Sequence, residues 1–137
     1  MLAREQIAAI SVSMTVDERQ VLMILLAADG TINRMGTGEE DNQLDELFVG
    51  NDGGILFEEF MDQLDPNIDE WHGRWFPDDE MKGKPCRLTV GLIERDKKET
   101  VCQCDYGTES EGPPQELCDF VISAVEVTDG WYEEQQG

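Results

Sequence analysis

Residues 99–137 contain no lysine or arginine, yet they hold ten Asp and Glu. Basic residues are scarce throughout: 10 Lys+Arg stand against 31 Asp+Glu, a formal net charge of −21. A surface this negative repels phosphate backbones and anionic lipid head groups. Direct nucleic-acid binding and membrane-surface binding are therefore not expected. Long apolar runs are missing as well. The longest, Val21 to Ala28, falls far short of the roughly 20 residues that a membrane helix needs. Met1-Leu2-Ala3-Arg4-Glu5-Gln6 lacks the basic stretch and apolar core of an export signal. The expectation is a cytoplasmic protein whose four cysteines are reduced thiols. Histidine occurs once, as His72, so chemistry built on paired imidazoles is excluded.

What is present suits one domain. A chain of 137 residues with 39% hydrophobic residues, three Trp, five Phe and two Tyr can close a single core. We read residues 1–137 as one domain with a polar tail at about 133–137. Charge is distributed in blocks. Glu39 to Glu80 holds fifteen acids and one base, Arg74, whereas six of the ten bases lie between Lys82 and Lys98. Those six are interleaved with Glu94, Asp96 and Glu99, too dilute to track a phosphate backbone. They are better read as a basic hairpin that relieves repulsion among acidic neighbours.

Periodicity predicts an α+β fold. Residues near 6–14, 20–28 and 31–36 read as a β-meander, its second and third strands joined at Asp29-Gly30. Thr15-Val16-Asp17-Glu18 also has the form of a helix-capping box, but the Asp-Gly turn between two apolar segments favours strands. Val21 to Ala28 is apolar on both faces and should form a central, covered strand. Leu44 to Val49 can add a short fourth strand before a turn at Gly50–Gly54. Leu56, Phe57, Phe60, Met61 and Leu64 form one stripe of an amphipathic helix, which Asp65-Pro66 should stop. Ile68, Trp71 and Trp75 continue at helical spacing, predicting a second short helix. Leu88, Val90 and Leu92 alternate with Arg87, Thr89 and Gly91 in a half-buried strand. Its hairpin partner, Glu99 to Tyr106, places Cys102, Cys104 and Tyr106 on one face. Pro113-Pro114 opens a last helix with Leu117, Val121, Ala124 and Val125 on its buried side, followed beyond Asp129-Gly130 by Trp131-Tyr132. The predicted architecture is one antiparallel sheet, a β-meander and then a β-hairpin, with helices packed on one face.

Few constellations carry chemistry. Asn51-Asp52-Gly53-Gly54-Ile55-Leu56-Phe57-Glu58-Glu59 resembles the second half of an EF-hand calcium loop. In that register Asp52 takes position five, Gly53 the sharp turn and Glu59 the bidentate twelfth place. Phe48 and Gly50 occupy the two leading ligand positions, so the six to eight oxygens that calcium requires are not supplied. Asp29-Gly30-Thr31-Ile32 repeats the half-motif, with Gly36 where the glutamate belongs. Cys102 and Cys104, with Cys86 and Cys118, are weak candidates for zinc, because paired C-x2-C knuckles are missing. The plainer reading makes them small buried hydrophobes between the hairpin and the last helix. No cofactor is predicted.

His72 has Asp69 one helical turn before it, the sparse beginning of a general base. Ser110 lacks the glycine spacing of a nucleophile elbow and reads better as a helix cap. The loop Tyr106 to Pro114 leads into a helix N-terminus, but Glu109, Glu111 and Glu116 already supply negative charge there. Nothing here has the form of an established catalytic site. The leading expectation is a non-enzymatic binding protein that uses its acidity on a basic protein partner. It would act either as a neutraliser, in the manner of small acidic immunity proteins, or as a nucleic-acid mimic. The candidate contact residues are Asp78, Asp79, Glu80, Glu109, Glu111 and an aromatic pair, Trp131 and Tyr132. The alternatives are a metal- or small-ligand-binding domain using the cysteines or the Asp52–Glu59 loop, and an enzyme using His72.

Overall fold

The computed structural model describes residues 6–17, 19–36, 47–63, 75–76, 83–96, 99–107 and 115–136. The elements run β1 (Ile7–Val16), β2 (Arg19–Ala27), β3 (Thr31–Gly36), β4 (Phe48–Asn51), α1 (Ile55–Gln63), β5 (Trp75–Phe76), β6 (Pro85–Glu94), β7 (Glu99–Gly107) and α2 (Gln115–Gln136). They form one sheet in the order β4-β3-β2-β1-β6-β7-β5. Every pairing is antiparallel except the two-residue β5, which runs parallel to β7. This is the expected single α+β domain.

The meander follows from local signals. Val16 pairs with Arg19, which closes a tight hairpin between β1 and β2, and Asp17 adopts the positive φ of 52° that such turns demand. The competing helix reading is thereby excluded. At the next turn the Gly30 amide donates to the Ala27 carbonyl at 3.0 Å, and Gly30 takes φ 100°. A Cβ at Gly30 would lie 2.4 Å from Asn51 Oδ1 and 2.7 Å from the Gly53 amide, so this turn is locked onto the loop after β4.

One face of the sheet carries the core. Ile10 and Val12 of β1, Leu22, Ile24 and Leu26 of β2, and Leu88 and Val90 of β6 are buried in one cluster. Phe57, Phe60 and Met61 of α1 and Leu117, Phe120, Val121, Ala124 and Val127 of α2 complete that cluster. Both helices therefore sit on the same side. On the face of β2 away from the helices, Met23 and Leu25 are half-buried and belong to neither core cluster of the described residues, so the expected cover of that second face is not found among those residues.

Three boundaries differ from the sequence reading. β4 begins at Phe48 and continues through Gly50 and Asn51, which had read as a turn; residues 44–46 lie outside the described set. Gly50 is there for close approach, because an added Cβ would meet Trp131 Cζ2 at 2.6 Å. Trp75-Phe76 is extended rather than helical. Phe76 precedes Pro77, and a residue before proline is pushed out of the helical region. The rest of that predicted helix, 68–74, lies outside the described residues. Finally, α2 does not stop at Asp129-Gly130 but runs to Gln136, leaving no separate tail at 133–136. Glycine costs a helix about 1 kcal/mol. Burial of Tyr132 on the following turn, at 3% exposure, offsets that loss.

Candidate binding surface

The aromatic pair offered as a contact site is structural. Tyr132 is buried, its ring stands edge-on to Phe48 with centroids 5.6 Å apart, and its hydroxyl accepts a hydrogen bond from the Gly36 amide at 3.1 Å. Trp131 is half-buried, packs against the core cluster and lies over Gly50. Neither ring is an exposed anchor. Both clamp the end of α2 onto β3 and β4.

The same clamp contains a buried cation. Arg34 on β3 is 1% exposed. Its Nε donates to the Gly36 carbonyl at 3.0 Å. Its Nη1 donates to Thr128 Oγ1 at 2.8 Å, Asp129 Oδ1 at 3.0 Å and the Val125 carbonyl at 3.3 Å. The guanidinium carbon sits 4.6 Å from the centroid of the Tyr132 ring. Sequence reading passed over Arg34. Its signal was an arginine on the inward phase of β3, between the buried Ile32 and Gly36. The arrangement fastens the last turns of α2 and leaves no free charge for a substrate.

The EF-hand likeness dissolves in the same manner. Asp52 Oδ1 accepts from the Gly54 amide at 2.9 Å and Oδ2 from the Leu56 amide at 2.8 Å, so the carboxylate caps α1. Asn51 Oδ1 accepts from the Gly53 amide at 2.9 Å, and Asp29 Oδ1 from the Thr31 amide at 2.9 Å. That bond holds the Asp29 carboxyl below its usual range. The two half-motifs pack on each other: the Asp52 amide donates to the Gly30 carbonyl at 3.1 Å, and Asn51 Nδ2 to the Asp29 carbonyl at 3.2 Å. These side-chain oxygens serve backbone amides rather than an ion. Asp52→Ala should therefore lower stability by about 1 kcal/mol through loss of the cap. Addition of calcium should not shift the wild-type unfolding midpoint. Urea titration with and without calcium checks both.

The cysteines are buried or half-buried thiols. Cys86, Cys102 and Cys104 are buried, and Cys118 is intermediate. Cys104 shares a thiol hydrogen bond with Cys102, which together with burial pushes its ionisation up. Burial also raises Cys86 and Cys118, and lifts Tyr106 to about 12. Cys86 packs apart from the others, with Val16 and Val21. Among the described residues, no three His, Cys, Asp or Glu side chains converge as a metal set. The thiols of Cys86, Cys104 and Cys118 ionise near 9 in the unfolded chain and higher in the folded one, so the unfolded chain loses protons first as pH rises. Stability should hold below pH 9 and fall above it, the Tyr106 contribution being lost between about 10 and 12. The urea midpoint measured from pH 7 to 11 should decline only in the alkaline half; a flat profile contradicts the burial.

The charged surface is where composition and geometry meet. Neither α1 nor α2 contains a lysine or arginine. Glu58, Glu59 and Asp62 of α1 are exposed, as are Asp119, Glu126, Glu133 and Glu134 of α2. Among the described residues, every charge that the helical layer turns outward is therefore acidic, with Ile55 and Ile122 exposed between them. These acidic residues fall within the two acidic stretches that the sequence offers as contact surfaces, Glu39–Glu80 and the C-terminal third, although of them only Glu59 is singled out there, as a calcium ligand. Asp78, Asp79, Glu80, Glu109, Glu111 and His72 lie outside the described residues.

The opposite face of the sheet carries Arg87, Asp105 and Glu99, and Glu99 Oε1 lies 3.3 Å from where a Cβ of Gly91 would stand. One row of paired positions runs Val49, Asn33, Leu25, Ser11, Gly91, Val101. The next runs Met35, Met23, Ser13, Thr89, Gln103. Beyond them Arg87 and Asp105 form an ion pair at 2.9 Å. Among the described residues, no helix is long and apolar enough to cross a membrane. No family model, curated protein or solved structure matches the chain.

Proposed function

We propose that the protein is a non-enzymatic binding module whose acidic helical layer engages a basic protein partner. One observation carries the reading: every charged side chain of α1 and α2 is a carboxylate, in a chain of net charge −21. Regular helices hold those carboxylates at fixed spacing on one side of the sheet. Such a surface steers a cationic protein into encounter and selects against anionic ones. Two forms share this chemistry. A neutraliser occludes the active face of a basic enzyme or toxin, whereas a nucleic-acid mimic presents carboxylates where phosphates would sit. The proposal includes an intracellular setting, with the thiols reduced.

The test is affinity capture from source-cell extract at low and high salt, read by mass spectrometry. The wild-type chain is run beside a variant with Glu58, Glu59, Glu126 and Glu133 changed to Gln. A stoichiometric basic protein, held at low salt, released at high salt and lost from the variant, supports the reading. Duplex DNA competing for that protein selects the mimic form. Capture that is indifferent to both salt and the four substitutions counts against it.

A further inference from the structure

We propose that the face of the sheet away from the helices is the interface between two copies of this chain, which pack sheet to sheet into a symmetric dimer with the acidic helices outermost. The argument begins from where charge is missing. Charged residues make up 30% of the chain. Even so, the two central rows, running from Val49 to Val101 and from Met35 to Gln103, cross the sheet without one. A strand face that meets only water has no reason to exclude carboxylates in so acidic a protein. A face that meets another copy of a −21 chain does at its centre, because an acid there would be buried against its own image; Glu99, whose carboxylate reaches toward Gly91, enters from the margin on β7.

The side chains fit that use. Leu25, Met23 and Met35 are half-buried on this face and belong to no core cluster. Val49 is 65% exposed and Val101 38%. The apolar outer side of β2, unexplained by the helical core, acquires a purpose when a second sheet covers it. Methionines on neighbouring strands adapt readily to an opposing surface. The polar positions between, Ser11, Ser13, Thr89 and Gln103, can donate and accept across a two-fold axis without net charge. Arg87 and Asp105 neutralise one another at the margin.

The area suffices. Strands about 4.8 Å apart and same-face residues about 6.8 Å apart give each outward position roughly 33 Å2, so the whole face of about twenty positions, its charged margins at Arg87, Glu99 and Asp105 included, offers a footprint of about 700 Å2. Burying that on both copies removes about 1,400 Å2, within the range of specific stable interfaces. Aligned sheets pack about 10 Å apart in this manner. A basic partner drawn to carboxylates would not select the face that lacks them, so the occupant fitted here is the second copy. The inference does not depend on the identity of any basic partner.

Sedimentation equilibrium of the full chain tests it. The wild type should run at twice the 15.5 kDa chain mass. Its dimer should tighten as salt rises, because screening relieves repulsion between like charges. Capture of a basic partner has the opposite salt dependence, so the two ideas fail separately. Ser13→Glu should weaken dimerisation at least 100-fold while the far-ultraviolet spectrum stays native. Ile122→Glu, on the exposed side of α2, should leave the dimer intact. If Ser13→Glu does not fold, Thr89→Lys is read in its place, with the same expected loss. A wild type that stays at one chain mass at every concentration and salt overturns the proposal and leaves the face to a different chain. A folded Ser13→Glu or Thr89→Lys that remains fully dimeric overturns it equally.

Discussion

Arg34→Met should destabilise the protein by about 3 kcal/mol, seen as a lower urea midpoint with an unchanged slope. The substitution removes a guanidinium that reaches Gly36, Val125, Thr128 and Asp129 from a site 1% exposed. Methionine fills part of the volume and satisfies none of those acceptors. Asp129 is 49% exposed and can turn to water, which keeps the loss at the lower end for a buried pair. The buried Thr128 hydroxyl has no such escape, although its own bond to the Ala124 carbonyl at 2.7 Å survives. Arg34→Lys keeps the charge but not the planar fork or its stacking on Tyr132, and should cost about 1–2 kcal/mol. A loss below 1 kcal/mol for methionine would show that the end of α2 is held by Tyr132 and Trp131 alone.

Phe60→Ala should be at least as damaging, at about 3–5 kcal/mol. Phe60 is fully buried, and its ring meets Phe120 at 5.0 Å and 77°, an edge-on pair that joins α1 to α2. α1 has only nine residues and cannot hold itself in water, so its helicity depends on this packing. Total stability of such domains is about 5–15 kcal/mol, so the variant approaches the folding threshold at 37 °C. Phe60→Leu, which refills most of the cavity, should recover more than half of the loss. Phe120→Ala on the Phe60→Ala background should cost about 1 kcal/mol less than it does in the wild type, because the ring pair is already gone. Thermal melts of the four variants check the series. Additive losses would place the two rings in separate parts of the core.

Where local signals and the fold agree, the sequence was readable. The meander, α1, the β6–β7 hairpin and the α2 core stripe follow from alternation, helical spacing and the Asp29-Gly30 turn. The misreadings sit where tertiary contact outweighs a local preference. Gly50 reads as a turn unless Trp131 is known to lie above it. Gly130 reads as a stop unless Tyr132 is known to dock on Phe48 and Gly36. Asp52 reads as a ligand until the amides of Gly54 and Leu56 are found around its carboxylate. Acidity was legible at once from composition. Its segregation onto the helical layer was not, because that requires knowing that α1 and α2 lie on the same side of the sheet.

The position of β1 also governs the order in which the molecule can assemble. β1 is made first, yet it sits in the middle of the sheet, with β2 on one side and β6 on the other. Its second neighbour arrives late: Val16 waits for Cys86, and Ile7 for Glu94. During synthesis the meander, complete at Gly36, therefore stands with an open edge until β6 begins at Pro85, about fifty residues later. Pairings of such long separation are the slow ones, since the chain must close a large loop before the contact stabilises anything. The nascent chain is most exposed to mispairing in that interval. The acidic block Glu39–Glu80 emerges in that same interval, and its charge repels other nascent copies while the edge is open.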